Sequence, residues 1–273
     1  MNGQTQLVGV LGWPVAHSKS PAMQNAAFQN LGLNWAYVPL CVTPHFSLEV
    51  AIKGLAACGF RGANVTVPYK EEALKICNTI SDDAKKIGAV NTLLCAADGS
   101  VRGENTDAPG FLAHLAEEAV EIKGQKVAVV GAGGAARAII FALLSGGAKE
   151  VMVINRNEAR AQELARRFEV KAFGWTKEAF MQASQASLIV NTTSLGIRAN
   201  DPIPWHPDVR FSRAQVVYDV IYKRTPFLDI AISQGARAIT GAGMLLWQGA
   251  IAFKMWTDVE PPVDIMRREL QDA

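Results

Sequence analysis

Polar residues that interrupt apolar runs are the first sign of chemistry in this chain, because apolar residues would pack better at such places. Four segments stand out: His17-Ser18-Lys19-Ser20-Pro21, Asn64-Val-Thr66-Val-Pro-Tyr-Lys70, Gly88-Ala-Val-Asn91-Thr92 and Gly103-Glu-Asn-Thr-Asp107. They offer hydroxyls, amides, an amine and a carboxylate, a set suited to a small polyhydroxylated substrate. Hydride transfer to a ketone leaves an alkoxide that must be protonated. Lys70 and Asp107 form the natural pair for that step. The ammonium would stabilise the oxyanion and donate the proton, and the carboxylate would orient the amine. Each residue also has a plainer reading. Lys70 is otherwise a solvated first-turn lysine, and Ser20 and Asp107 are otherwise helix N-caps. Thr66 and Asn91 are otherwise partners of buried backbone groups, and His17 is read as a structural histidine.

A second motif points to a cofactor. Lys126-Val-Ala-Val-Val-Gly131-Ala132-Gly133-Gly134-Ala135-Ala136-Arg137 runs strand, glycine turn, helix. Gly131, Gly133 and Ala136 fit the dinucleotide pattern: tight turn, open backbone for the pyrophosphate, close helix–strand packing. Phosphates would face the N–H groups at the start of that helix. The next strand, Val151–Ile154, ends in Asn155-Arg156-Asn157 with Arg160 one turn on, where an NAD-preferring unit carries Asp or Glu. Guanidinium groups bind a 2′-phosphate that a carboxylate would repel, so NADP is expected over NAD. The alternative is two solvated surface arginines.

These residues need elements to hold them. The first third reads as strands Leu7–Leu11, Trp35–Val42 and Gly62–Val67, with helices from Ser20 to Leu31, 46–57 and 69–80, then a hairpin of Val90–Cys95 and Ser100–Gly103. The middle alternates regularly: strands at 126–130, 150–154, 170–173, 187–191, 215–220 and 236–240, with helices at 133–145, 157–168, 176–184 and 226–234. Repeated βα units predict an α/β protein with a parallel, doubly wound sheet. A last helix is expected from Met244 to Trp256. Ser194–Ser212, with Pro202, Pro204 and Pro207, is the longest irregular stretch, a length common in lids and flaps.

Composition narrows the classes. The 273 residues are 49% hydrophobic and 19% charged, which favours a sizeable core and two domains over disorder. A net charge of +2 provides no drive towards nucleic acid or anionic membranes. The apolar stretch Val127–Ala148 is broken by glycines and carries Arg137, unlike a membrane span. Met1–Gln6 lacks the basic and apolar regions of a signal peptide, so a cytoplasmic setting is expected. Cys41, Cys58, Cys77 and Cys95 have no metal-ligand spacing and read as small buried residues in a reducing compartment; no metal is expected.

The chain resembles the shikimate dehydrogenases over nearly its full length. The resemblance rests on Gly12-x-Pro14-x-x-His17-Ser18-x-Ser20-Pro21, Asn64-Val-Thr-x-Pro-x-Lys70, Gly88-Ala-Val-Asn-Thr92 and Asn105-Thr-Asp107-x-x-Gly110. It continues through Gly131-Ala-Gly-Gly-Ala-x-Arg137, Asn155-Arg156, Asn191-x-Thr193-Ser194-x-Gly196 and Gly243-Met-Leu-x-x-Gln248. It implies reversible reduction of 3-dehydroshikimate to shikimate with NADPH. It also implies an α/β substrate domain, 1–105 plus 243–273, and a Rossmann-like NADP domain, 106–242. By motif, Ser18 and Ser20 would take the substrate carboxylate, while Thr66, Asn91, Tyr222 and Gln248 would hold the rest of the substrate. Lys70 and Asp107 would be the catalytic pair. Gly131, Ala132, Gly133, Gly134, Ala135, Asn155, Arg156, Asn157, Arg160, Thr192, Thr193, Ser194, Val220 and Gly243 would surround the cofactor. The implied partner is a small molecule, with a homodimer as a further expectation. The chain departs from the family pattern at Gln24, where His is usual, at Asn157, often Thr, and in the shortened Tyr222-Lys-Arg-Thr225-Pro226. The rivals are a broader quinate/shikimate dehydrogenase and a non-catalytic, ligand-sensing relative.

Overall fold

A computed structural model describes residues 1–198 and 200–272. The chain divides into two compact units, Met1–Gly110 with Leu245–Ala273, and Phe111–Met244.

In chain order the first unit contains β1 (Gln6–Gly12), α1 (Ser20–Asn30), β2 (Trp35–Cys41), α2 (Leu48–Ala57), β3 (Gly62–Val65), α3 (Lys70–Ile76), β4 (Thr79–Ile80), α4 (Asp82–Ile87), β5 (Thr92–Cys95) and β6 (Val101–Glu104). Its sheet runs β2-β1-β3-β5-β6-β4. The strands β2, β1 and β3 are parallel, while β5 is antiparallel to both its neighbours. Side chains alternate across a strand, so β1 feeds two cores. Leu11 packs with Ile52, Val65 and Leu93 on one face, and Val8 and Val10 pack with Phe28, Phe253 and Trp256 on the other.

The helix α5 (Asp107–Glu117) leads into the second unit, with β7 (Lys126–Val130), α6 (Gly134–Ser145), β8 (Glu150–Ile154), α7 (Glu158–Phe168), β9 (Lys171–Phe173), α8 (Lys177–Ala183), β10 (Leu188–Asn191), β11 (Val216–Asp219), α9 (Pro226–Ser233) and β12 (Arg237–Thr240). The order β12-β11-β10-β7-β8-β9, all parallel, is the doubly wound arrangement. Its central strands are buried Val, Ile, Leu and Ala, as a sheet covered on both faces requires. The last helices are α10 (Ala242–Thr257) and α11 (Val263–Asp272). Met266 and Leu270, one turn apart on α11, bury in the core that holds Phe28 and Phe253.

Several expectations need correction. The helix expected over 69–80 stops at Ile76. Asn78 leaves it to exchange two bonds with Val101: its N donates to Val101 O (2.9 Å), and Val101 N donates to its Oδ1 (2.8 Å). That starts the pairing of β4 along β6, after which Ser81 caps α4. Ser20 is not an N-cap; Lys19 holds that position, and Ser20 is the first helical residue. Asp107 also opens its helix rather than capping it, because Asn105 Oδ1 accepts from the N–H groups of Asp107 (3.1 Å) and Ala108 (3.2 Å). Cys95 is buried, but Cys41 and Cys58 are exposed, being at the end of β2 and just past α2. Within 194–212, Ala199 lies outside the described residues. The rest is irregular yet pinned: Trp205, Val209 and Phe211 are buried in the second core, and Trp205 Nε1 donates to Val209 O (2.7 Å). Among the described residues, no helix is long and apolar enough to cross a membrane.

Candidate active site

Strand register explains how four distant segments meet in the first unit. Leu11 lies beside Val65, Asn64 opposite Thr92, and Thr92 opposite Glu104. The far ends of β1, β3 and β6 and the start of β5 therefore share one end of the sheet. The loops carrying Ser18, Thr66, Asn91 and Asp107 leave from there.

Lys70 Nζ donates to Asp107 Oδ2 at 2.5 Å, with side chains 14% and 6% exposed. An ion pair this enclosed is shielded far less by water than a surface pair. Asn91 Nδ2 donates to the other carboxylate oxygen, Oδ1, at 2.8 Å. Asn91 is itself held, because its Oδ1 accepts from Thr106 N (2.7 Å) and Thr92 Oγ1 (3.1 Å). The relay continues outward: Asn64 Nδ2 donates to Thr92 Oγ1 (3.1 Å), and Tyr37 OH donates to Asn64 Oδ1 (2.8 Å). Burial pushes the Tyr37 phenol well above its usual range, so it remains a donor. Val90 N donates to Lys70 O (2.9 Å), which ties the base of the lysine to the Asn91 loop.

Other predicted substrate residues fall around this cluster. Gln248, on α10, has its Oε1 3.5 Å from Asn91 Nδ2, and its Nε2 donates to Leu245 O (2.8 Å). Thr66 is half-buried directly after β3, its N donating to Leu11 O (2.8 Å). Ser20 is buried near Tyr37, and its N faces Ser18 Oγ (3.3 Å). At the departure Gln24 the side chain is fully buried and half satisfied: its Nε2 donates to Gly249 O (2.9 Å), and its Oε1 meets no donor among the described residues. Tyr222 is different. It belongs to the second unit, half-buried, with its phenol pushed up by burial.

The second unit gathers the predicted cofactor residues at the strand ends where the order reverses, between β7 and β10. Gly131 has φ +111°, and a Cβ there would come within 2.4 Å of Thr192 Oγ1, so only glycine fits. At Gly133, the N-cap of α6, nothing lies within 4 Å of where a Cβ would be. Ala132 is buried, and Gly134 and Ala135 open the helix beside this bare backbone. The result is a helix N-terminus that a phosphate can approach. Beyond β8, Arg156 and Arg160 are exposed. Asn155 Nδ2 donates to Asn157 O (2.8 Å), and Asn157 Oδ1 caps α7 through Arg160 N (3.4 Å). That leaves the Asn157 amide N–H groups for a ligand. Thr192 Oγ1 donates to Val130 O (2.8 Å), and Ser194 is exposed. Val220 N donates to Asn191 O (3.0 Å), while Gly243 lies against the His114 ring. These features fit a phosphorylated dinucleotide.

Sequence reasoning missed the supports: Tyr37 and Asn64 behind Thr92, and Asn105 capping the helix that carries Asp107. Asn64 and Asn105 were visible as polar breaks in apolar segments. Tyr37 had no signal, since tyrosine is ordinary in a strand.

Comparison with known proteins agrees across the chain. Residues 10–93 match the shikimate dehydrogenase substrate binding domain, 114–195 the shikimate / quinate 5-dehydrogenase family, and 241–271 the shikimate 5′-dehydrogenase C-terminal domain. The chain is 43% identical to a shikimate dehydrogenase (NADP(+)) of Carboxydothermus hydrogenoformans, covering 99% of this chain and 98% of that one. The shikimate dehydrogenase crystal structure from Aquifex aeolicus aligns with a TM-score of 0.92 at 41% identity, over 100% of both chains. The Thermus thermophilus enzyme, solved in complex with NADP(H) and shikimate, aligns with a TM-score of 0.86 at 39% identity, over 98% of this chain and 99% of that one. With identity this high over the whole length, and with both an α/β substrate-binding domain and a Rossmann-like domain, the chain belongs to the shikimate dehydrogenase family.

Proposed function

We propose that this chain reversibly reduces 3-dehydroshikimate to shikimate with NADPH, in the shikimate pathway to aromatic amino acids. The observation that carries the reading is the enclosed Lys70–Asp107 pair, braced by Asn91, in a family of NADP-dependent dehydrogenases. Bound NADPH supplies the hydride. Lys70 stabilises charge developing on the carbonyl oxygen and donates the proton that completes the hydroxyl. Asp107 keeps the ammonium oriented, and Asn91 keeps the carboxylate from turning. In the reverse direction the same pair receives the proton.

Ser18 and Ser20 are assigned to the substrate carboxylate, and Thr66, Asn91, Tyr222 and Gln248 to its remaining polar groups. Gly131 to Ala135 would receive the pyrophosphate at the start of α6, and Asn155, Arg156, Asn157 and Arg160 the adenosine side with its 2′-phosphate. Thr192, Thr193, Ser194, Val220 and Gly243 complete the cofactor set. On this reading residues 1–105 with 243–273 serve the substrate, and 106–242 the cofactor. Free cysteines support a reducing, cytoplasmic setting. A homodimer is its assembly, and light scattering that returns the mass of a single chain would overturn that part.

The test is NADP reduction with shikimate as substrate, with quinate and NAD as comparisons. No turnover of shikimate by folded protein would sink the proposal. Equal turnover of quinate would replace it with the broader dehydrogenase.

A further inference from the structure

Three polar side chains, the last residues of β10 and β11 and one from the loop after β11, are buried together, none of them among the residues assigned above. Asn191 and Asp219 are 0% exposed and Thr225 is 1% exposed. Asp219 Oδ1 accepts from Asn191 Nδ2 (3.0 Å) and Ile221 N (3.1 Å), and its Oδ2 accepts from Thr225 Oγ1 (2.7 Å). Asn191 passes the anchorage on. Its Oδ1 accepts from Thr193 N (3.0 Å) and Thr193 Oγ1 (2.7 Å), and that hydroxyl accepts from Leu195 N (3.2 Å).

One carboxylate thus holds two loops. The first, 192–196, backs onto the glycine turn at Gly131. The second, 220–225, carries Tyr222 and ends at Thr225, the N-cap of α9. The loops also touch directly. Gly196 has φ +109°, and a Cβ there would lie 3.3 Å from Thr225 Cβ and 3.5 Å from Ile221 Cδ1. Lys223 Nζ donates to Ile197 O (3.0 Å). The shortened segment between Tyr222 and Thr225 leaves little slack, so a shift of either loop must displace the other.

We infer that Asp219 is a positioning residue that locks the Thr193 loop and the Tyr222 loop into one arrangement, so that the cofactor and substrate groups they carry are set together. This rests on the function proposed above. A carboxylate suits the task because it accepts three bonds at once, and three neutral donors surround it. An apolar residue of similar size would leave those donors unsatisfied in the interior.

The test uses the full-length enzyme at pH 8, with D219A, D219N and T225V as variants. NADP binding is read by fluorescence titration without substrate, and KM and kcat for shikimate by initial rates. D219A should raise both the Kd for NADP and the KM for shikimate about tenfold, as expected for one or two lost buried hydrogen bonds. kcat should change less than either. D219N should restore both values to within about threefold, since its amide oxygen still accepts from Ile221 and Asn191 and its nitrogen donates to Thr225 Oγ1. T225V keeps the packing against Gly196 and removes one of the three bonds to Asp219, together with the weak side-chain cap on Leu228 N (3.4 Å), so it should move both constants in the same direction by a smaller factor. Should D219A fail to fold, D219N and T225V carry the test. Unchanged constants with a lowered Tm would reduce Asp219 to a structural residue and overturn the inference. A change in the NADP constant alone would overturn the coupling. Wild type that neither binds NADP nor oxidises shikimate would overturn the function and the inference with it.

Discussion

Asp107 in the first unit, just past β6, and Asp219 in the second, the last residue of β11, are 4% and 0% exposed, yet they meet different company. Asp107 faces an ammonium, with one amide on its second oxygen. Asp219 meets three neutral donors, and burial outweighs them, lifting its pKa to about 6. The contrast separates two uses of a buried carboxylate. Paired with a cation, it fixes where an ammonium stands, which is the proton donor of the proposed reaction. Surrounded by backbone and side-chain donors, it organises loops and carries no proton to any substrate.

The largest effect should come from Lys70→Ala. Loss of the proton donor predicts a fall in kcat of about 10²- to 10⁴-fold, measured by NADP reduction with circular dichroism confirming the fold. Normal turnover would erase the distinction between the two aspartates.

The Asp219 side is sharpened by stability against pH. Its folded pKa of about 6 exceeds the ordinary 3.8, so between these values the native state binds more protons than the unfolded chain. Its stabilising contribution is therefore present below pH 4 and is lost as pH rises through 6. At about 1.36 kcal/mol per pKa unit, the loss approaches about 3 kcal/mol. D219N lacks this titration, so urea unfolding should show its stability relative to wild type rising by up to that amount between pH 4 and 7. A constant difference would mean that Asp219 titrates as an ordinary carboxylate.

Arg156→Ala probes the second unit's exposed charges. Removing a charge-assisted phosphate bond should weaken NADP binding about 10- to 100-fold and leave NAD nearly unchanged. An unaltered NADP/NAD ratio would return Arg156 to the role of a surface charge. The smallest effect is expected from Tyr37→Phe, at the outer end of the relay in the first unit. It should cost about 1 kcal/mol of stability in chemical denaturation and change kcat less than threefold. A larger fall in kcat would extend the catalytic group back to Tyr37.

The sequence by itself determined the βα alternation of the second unit, the glycine turn and the arginines after β8. These are local patterns: buried parallel strands need continuous apolar runs, and a phosphate turn needs glycine at fixed spacing. It also carried Lys70, Asp107 and Asn91, as polar breaks in apolar segments. Tertiary structure alone decided which groups those residues meet. Asp107 reads equally well as an N-cap until Asn105 takes the capping bonds and frees its carboxylate for Lys70. The end of α3 at Ile76 depends on Asn78 meeting Val101 on β6, a partner 23 residues away. Asp219 looks like any acid at a strand end until Asn191, Ile221 and Thr225 close around it. In each case the deciding partner is distant in the chain, or turned inward by a loop, and no local pattern encodes which donor reaches which oxygen.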